Sequence, residues 1–269
     1  MKLLLLQIKL AFAISLASLG FMPVEAQSVK PVIRVPRPMF NLSRQLNKPV
    51  NFIVPPPPPP GELNAPNNRT GGGKRGCGKI NEQLTGSKNL TALVPEYPSN
   101  SGLVLGLTTA KHPTFWFYIP YSSIFSAEFV LQNEAGETIY PIYPVSLSGT
   151  PGVVNFSLPS TAPPLEIGKS YHWYLNINCG QESISFVDGW IRRDLLLPDL
   201  KSKLETATPR ERVALFAEKG MWYDALTASA ELRRVNPKDT SWAAMLQAVG
   251  LNDITSEPIV ECCQQSSAP

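Results

Sequence analysis

Between residues 90 and 194 apolar and polar positions alternate in short runs, broken by clusters of Gly, Pro, Asn and Ser. Period-two alternation puts successive side chains on opposite faces, the pattern of a half-buried strand. It predicts strands over 90–94, 103–108, 114–119, 127–133, 138–145, 153–158, 170–178 and 183–192. Short strands at this spacing predict an antiparallel β-sandwich. Phe115, Phe117 and Ile119 share one face of their strand, and Tyr171, Trp173 and Leu175 share one face of theirs. After Pro198 the apolar period lengthens to near 3.6. Thr208-Pro209-Arg210-Glu211 is a capping box with proline at the first helical position, and Gly220 suits a left-handed stop. A second helix is predicted over 222–235, ending before Pro237, and a third over 240–249, ending before Gly250.

Two local signatures sharpen the fold class to mainly β with a C-terminal α part. Leu165-Glu166-Ile167-Gly168-Lys169-Ser170-Tyr171 looks like the tyrosine corner of immunoglobulin-like sandwiches, in which the hydroxyl bonds backbone a few residues upstream. Ala214 to Pro237 resembles one tetratricopeptide repeat, with Phe216, Gly220, Trp222, Ala225 and Pro237 in place. Arg212, Val213 and Leu232 depart from its usual choices, and there is no second copy. A single repeat cannot bury its apolar face alone. The helices are therefore expected to pack on the sandwich, whose outward Trp116, Tyr118 and Tyr174 need cover.

Ahead of the sandwich the composition changes. Lys2 and Lys9, an apolar run over 10–22 and Val24-Glu25-Ala26 predict a signal peptide over 1–26, and so export to the periplasm or the extracellular space. Residues 27–76 carry eight basic residues against Glu62 alone, together with the run Pro55 to Pro60 and a Gly-rich end. They read as a disordered basic linker whose charge suits anionic lipid or an acidic cell-wall polymer. The remaining units are a β-sandwich domain over 77–197, a helical module over 198–257 and a tail with a Cys pair over 258–269. Fourteen basic and nineteen acidic residues make that body acidic. Its cysteines, Cys77, Cys179, Cys262 and Cys263, are even in number and read as two disulfides. Neighbouring Cα atoms stand about 3.8 Å apart, below the usual disulfide range of about 4.4 Å upward. That disfavours a Cys262–Cys263 pair and leaves each of these two to reach Cys77 or Cys179. With no Cys-x-x-Cys pair, a zinc site is not expected.

Several strings in order, among them His112-Pro113-Thr114-Phe115-Trp116-Phe117-Tyr118, Gly149-Thr150-Pro151-Gly152-Val153, Tyr171-His172-Trp173-Tyr174, Asp188-Gly189-Trp190, Trp222-Tyr223-Asp224-Ala225-Leu226 and Glu261-Cys262-Cys263, resemble the cyanobacterial family known as domain of unknown function 928. The resemblance runs from about Cys77 to Cys263. It implies a cyanobacterial exported protein and brings no activity, substrate or catalytic residue.

Chemistry must then be sought in the residues themselves. His112 and His172 are the only histidines. Ser122, His172 and Asp188 supply the residue types of a nucleophile triad, but no Gly-x-Ser-x-Gly elbow accompanies them. Glu128 and Asp188 supply a pair of carboxylates whose separation decides any glycosidase role. No phosphate loop, dinucleotide fingerprint or His-x-x-x-His metal pair occurs, so no cofactor or metal is expected. Strand-borne aromatics offer better material. Trp116, Tyr118 and Tyr174, with Trp222 at the head of a helix, form a candidate surface for stacking a sugar or a partner peptide. The competing expectation is that they are core, or covered by the helices. The function expected is a non-enzymatic binding or structural module of the cell envelope, with an envelope protein or polysaccharide as partner and no nucleic acid. The alternative is a carbohydrate-binding or glycan-hydrolysing envelope protein using Trp116, Tyr118 and Glu128.

Overall fold

The computed structural model describes residues 50–72, 88–121, 125–180 and 182–263. The predicted leader, residues 27–49, Cys77 and Ser122 lie outside them. The strands are β1 (Thr91–Ala92), β2 (Glu96–Tyr97), β3 (Leu103–Thr108), β4 (Thr114–Ile119), β5 (Ser126–Gln132), β6 (Thr138–Ser146), β7 (Gly152–Ser157), β8 (Ser170–Cys179) and β9 (Glu182–Arg193). They form two sheets that do not close on each other, β1-β4-β7 and β2-β3-β9-β8-β5-β6. All pairings are antiparallel except β3 with β9, where Leu105 lies opposite Trp190 in parallel register.

Alternation decides what lies between the sheets. Phe115 and Phe117 on β4 point inward to meet Phe129 on β5, Phe156 on β7 and Trp173 on β8. Ring centroids stand 4.8 Å apart for Phe115–Phe129, 5.5 Å for Phe117–Trp173 and 5.7 Å for Phe129–Phe156. Such pairs add about 0.5–1.5 kcal/mol each beyond the burial of their area. At the entrance to β8 the Tyr171 hydroxyl accepts the Glu166 backbone N–H at 2.9 Å, tying the turn to the strand that follows it.

Four helices follow: α1 (Pro198–Thr206), α2 (Pro209–Glu218), α3 (Trp222–Val235) and α4 (Ser241–Ala248). The capping box at Thr208 and Glu211 is formed in both directions. Helix α1 has no counterpart among the predicted elements, because its polar sequence buries only Leu200 and shows no apolar stripe. Its support is local, with proline in the first turn and an i,i+4 pair of Asp199 with Lys203 at 2.8 Å.

Helix α3 lies against β3 and β4, one strand from each sheet, and closes the seam between them. Tyr223 enters the core edge-on to Phe115 at 5.4 Å, and the Trp222 indole N–H donates to the Leu93 carbonyl at 2.8 Å. Close approach is possible because β3 carries Gly106 beneath them, where a Cβ would stand 2.6 Å from the Tyr223 ring. Trp222 and Tyr223 are essentially inaccessible, so truncating either to Ala is expected to cost about 3–5 kcal/mol.

Two sequence expectations require correction. Residues 50–72 are not a disordered linker but a strap laid along the body. Val50 and Phe52 are buried, Phe52 meets Trp222 edge-on at 4.8 Å, and the Ile53 N–H donates to the Ala217 carbonyl at 3.1 Å. Further along, Thr70 bridges to Thr91, and Gly71 N–H donates to the Leu90 carbonyl at 2.8 Å. Proline-rich composition reads as solvated chain, but proline also lowers the conformational entropy lost on docking, and a few flanking apolar residues suffice to hold it. The second correction is that Cys262 and Cys263 are bonded to each other. The distance argument against this pairing fails because the ring closes by torsion. With the Cα atoms 3.7 Å apart, Cys263 takes the left-handed φ of 66° that brings the sulfurs together. Cys179 is also disulfide-bonded.

Candidate functional site

Of the four aromatics proposed to bind a ligand, three are structural. Trp116 is 2 % exposed, Tyr118 4 % and Trp222 0 %, so none offers a ring face to solvent. Trp116 lies under the helices, donating its indole N–H to the Thr227 hydroxyl at 3.0 Å and packing edge-on to Trp242 at 5.9 Å. The Arg234 guanidinium lies 5.6 Å from its ring centroid. Tyr118 is covered on the side of Lys88, whose ammonium pairs with Glu257. The stacking surface built on Trp116, Tyr118 and Trp222 is therefore corrected to core.

Tyr174 alone keeps some exposure, and it belongs to a polar cluster on the outer face of the larger sheet. Register puts Tyr174 opposite Asp188 and His172 opposite Trp190, so all four project from the same face. The Tyr174 hydroxyl lies 2.6 Å from His172 Nδ1, and His172 Nε2 lies 2.9 Å from Asp188 Oδ2. His172 stacks flat on the Trp190 ring at 4.4 Å. The strap completes the cluster. Asn67 Nδ2 donates to Asp188 Oδ2 at 2.9 Å, and the Asn68 N–H donates to Oδ1 at 2.8 Å. Asn67 Oδ1 in turn accepts the Val104 N–H at 3.2 Å.

Electrostatics fix the protons in this chain. Burial works to raise the Asp188 carboxyl, but hydrogen bonds from His172, the Asn68 N–H and Asn67 outweigh it and leave Asp188 below its ordinary value. Burial, aided by Asp188, raises the Tyr174 phenol. The tyrosine therefore keeps its proton, and the ionised Asp188 carboxylate accepts from His172 Nε2. A phenol held in its protonated form is a poor nucleophile. Ser122 lies outside the described residues; among them the hydroxyl next to His172 is that of Tyr174. Three elements, the strap, β8 and β9, meet at one carboxylate, which makes Asp188 the pin of a clasp.

The carboxylate pair is split across β8. Glu128 stands opposite Asn176 and Asp188 opposite Tyr174, so strand spacing and rise put their Cα atoms about 12 Å apart. Both Asp188 oxygens are engaged by Asn67, Asn68 and His172. His112 meets the Ala162 carbonyl at 3.1 Å at the entrance to β4. Among the described residues no group of His, Cys, Asp and Glu is arranged to hold a metal ion, and no helix is long and apolar enough to cross a membrane.

A concave feature lies where the β and α parts meet. A cleft of about 180 Å³ opens between the loop leading into β4 and helices α2 and α3. Phe216, Tyr223 and Ala228 supply an apolar floor, Asp224 stands within it, and Arg212 and Glu231 line the polar side. Asp224 is fixed by Thr109, whose N–H donates at 2.9 Å and whose hydroxyl donates at 2.8 Å. Its carboxyl is enclosed although the residue keeps some surface, and burial raises its pKa against the pull of those bonds. Pockets for drug-sized ligands measure about 300–1,000 Å³. At its size this cleft suits one inserted side chain or a small polar group.

In the sequence His172 and Asp188 are grouped as residue types of a triad with Ser122 and Tyr174 is named apart from them, while Asp224, Arg212 and Glu231 have no site role. His-x-Tyr in one strand and Asp-x-Trp in the next are the period-two signal that places four such residues on one face. No curated protein matches this chain. A family model described as Domain of Unknown Function (DUF928) matches residues 70–259, and on that match the chain belongs to the DUF928 family.

Proposed function

We propose that this protein is a non-enzymatic binding module of a cyanobacterial cell envelope, exported by its leader, which receives a partner in the cleft between its β and α parts. The observation that carries the reading is the composition of that cleft. An apolar floor with Arg212 and Glu231 beside it offers one side-chain-sized recess and charges of both signs, which suits a protein surface. The aromatic surface that a polysaccharide reader would use is spent on packing, and the Tyr174–His172–Asp188 chain is arranged as a clasp. The sheet order supports an immunoglobulin-like sandwich, with β3, next to the edge strand β2, running parallel to β9 and the Tyr171 hydroxyl on the Glu166 backbone. Helices α2 and α3 with the Gly220 turn at φ 70° support a single tetratricopeptide-like unit that packs on the sheets in place of a second repeat.

The test is site-specific photo-crosslinking in intact cells. A benzophenone side chain at Ala228, inside the cleft, is expected to give one discrete adduct with an envelope protein. The adduct should be lost in Arg212→Glu and absent when the probe is moved to Lys201. Absence of an adduct at Ala228, or equal labelling from both positions, defeats the proposal. Fractionation of the same cells must find the chain outside the cytoplasm with its leader removed.

A further inference from the structure

We propose that the Cys262–Cys263 disulfide is a thiol–disulfide exchange site that latches the C-terminal strap to the edge of the smaller sheet. The strap runs beside β7 as a short parallel addition. The Val153 N–H donates to the Pro258 carbonyl at 2.8 Å, and the Val260 N–H donates to the Val153 carbonyl at 2.9 Å. The turn before β7 is shaped to receive it. A Cβ on Gly149 would meet the Glu261 carbonyl at 2.6 Å, and one on Gly152 would meet the Val260 side chain at 2.9 Å. Only glycine at both positions leaves room for the strap.

The disulfide sits where the strap ends. Cys262 Sγ lies 3.9 Å from the Ser146 carbonyl, and both half-buried cysteines pack against the hydrophobic core. Cys263 holds φ at 66°, a left-handed torsion that non-glycine residues rarely adopt and that the two-residue ring imposes. Opening the ring removes the restraint, lets the chain return to ordinary torsions and replaces one compact apolar unit by two thiols. A dithiol reductant supplies the chemistry. Its thiolate attacks one sulfur and forms a mixed disulfide while the other cysteine leaves as a thiolate and takes a proton; the reductant's second thiolate then attacks the reductant's own sulfur in that mixed disulfide, closing the oxidised reductant, and the first-attacked cysteine leaves as a thiolate and takes a proton. The products are the Cys262 and Cys263 thiols and the oxidised reductant. The two electrons come from the reductant, so atoms and charge balance.

The experiment is hydrogen–deuterium exchange on the full chain at the Val153 and Val260 amides. Dithiothreitol is the probe reductant, and C262S/C263S, which leaves the Cys179 disulfide intact, is measured without it. Both are expected to raise exchange at these two amides about tenfold while β8 amides keep their protection. Mass mapping of the reduced sample should find two added hydrogens in the tail peptide. C262S/C263G, in which glycine adopts the left-handed torsion freely, should recover part of the protection. Unchanged exchange at Val153 and Val260 after reduction overturns the proposal, as does loss of β8 protection at the same rate in both variants. A tail peptide that stays oxidised until the whole protein unfolds also overturns it.

Discussion

Gly106→Ala adds one methyl group at the point where β3 and α3 approach most closely. The new Cβ would stand 2.6 and 3.0 Å from two carbons of the Tyr223 ring and 3.2 Å from Trp222 Cδ1. Carbon atoms pack best at about 3.5–4.0 Å, so the overlap with Tyr223 is close to 1 Å. Tyr223 is 1 % exposed and wedged against Phe115, so its ring cannot swing aside and the helix itself must lift. Overpacking of this kind costs about 1–3 kcal/mol, while exchanging glycine for alanine in a strand returns roughly 0.5–1 kcal/mol. An overlap near 1 Å with a ring that cannot move belongs in the upper half of the overpacking range, so the expected net loss is about 1–2.5 kcal/mol, or about 2–10 °C in Tm for a chain of this size. Urea unfolding followed at once by far-ultraviolet ellipticity and tryptophan fluorescence should move both transitions to lower denaturant together. Gly106→Ala/Tyr223→Leu should be less destabilised than the sum of the single variants, because the ring is what the methyl group strikes. Unchanged stability in Gly106→Ala, or an ellipticity transition that moves while fluorescence stays, would refute the reasoning.

Asp188→Asn should destabilise the protein by about 1–3 kcal/mol at pH 7, since it disturbs a buried acceptor of three hydrogen bonds. Its folded pKa is depressed, so its stabilisation is present above the unfolded value of about 3.9 and is lost as pH falls through the folded value. The gap to wild type in denaturation curves must therefore narrow below about pH 4, and a constant gap would contradict the clasp. Asp224 has the opposite sign. Its raised folded pKa means that it favours the fold more as pH falls, so Asp224→Asn should match or exceed wild-type stability at pH 7 and flatten the pH dependence around Asp224's titration. A large loss at pH 7 would mean that the ionised carboxylate is needed. Tyr171→Phe removes the hydroxyl from the Glu166 N–H and should cost about 1 kcal/mol, read as a lower urea midpoint at unchanged slope.

The β elements were legible where strands bury one face and so alternate, as β5 does with Phe129 and Leu131 and β8 with Trp173 and Leu175, while β4, buried on both faces, was legible as a short apolar run bounded by Pro113 and Pro120. The capping box and Gly220 marked the limits of α2 because orphan backbone groups at helix ends demand particular side chains. Helix α1 was illegible for the converse reason, as it buries one leucine and leaves no periodic trace. The strap failed differently: Val50, Phe52 and Asn67 are single anchors spaced along a proline-rich segment, and no local pattern tells which distant surface each will meet. His172 and Asp188 could be grouped by residue type, but Tyr174 and Asn67 could not be joined to them, since strand register depends on the turn between β8 and β9 and on the whole sheet. The Cys262–Cys263 bond escaped because a distance criterion for disulfides ignores the torsional route open to neighbours.

Central to all of this is that the helices have no core of their own and share one with the sheets. Native-state hydrogen exchange read residue by residue in rising denaturant tests it most directly. The account predicts that the most protected amides of α3, around Leu226 and Ala230, and those of β8, around Trp173 and Leu175, exchange through a single opening of the same free energy and the same denaturant slope. Protection of the α3 amides that is lost through a separate, smaller opening while β8 stays closed would contradict it.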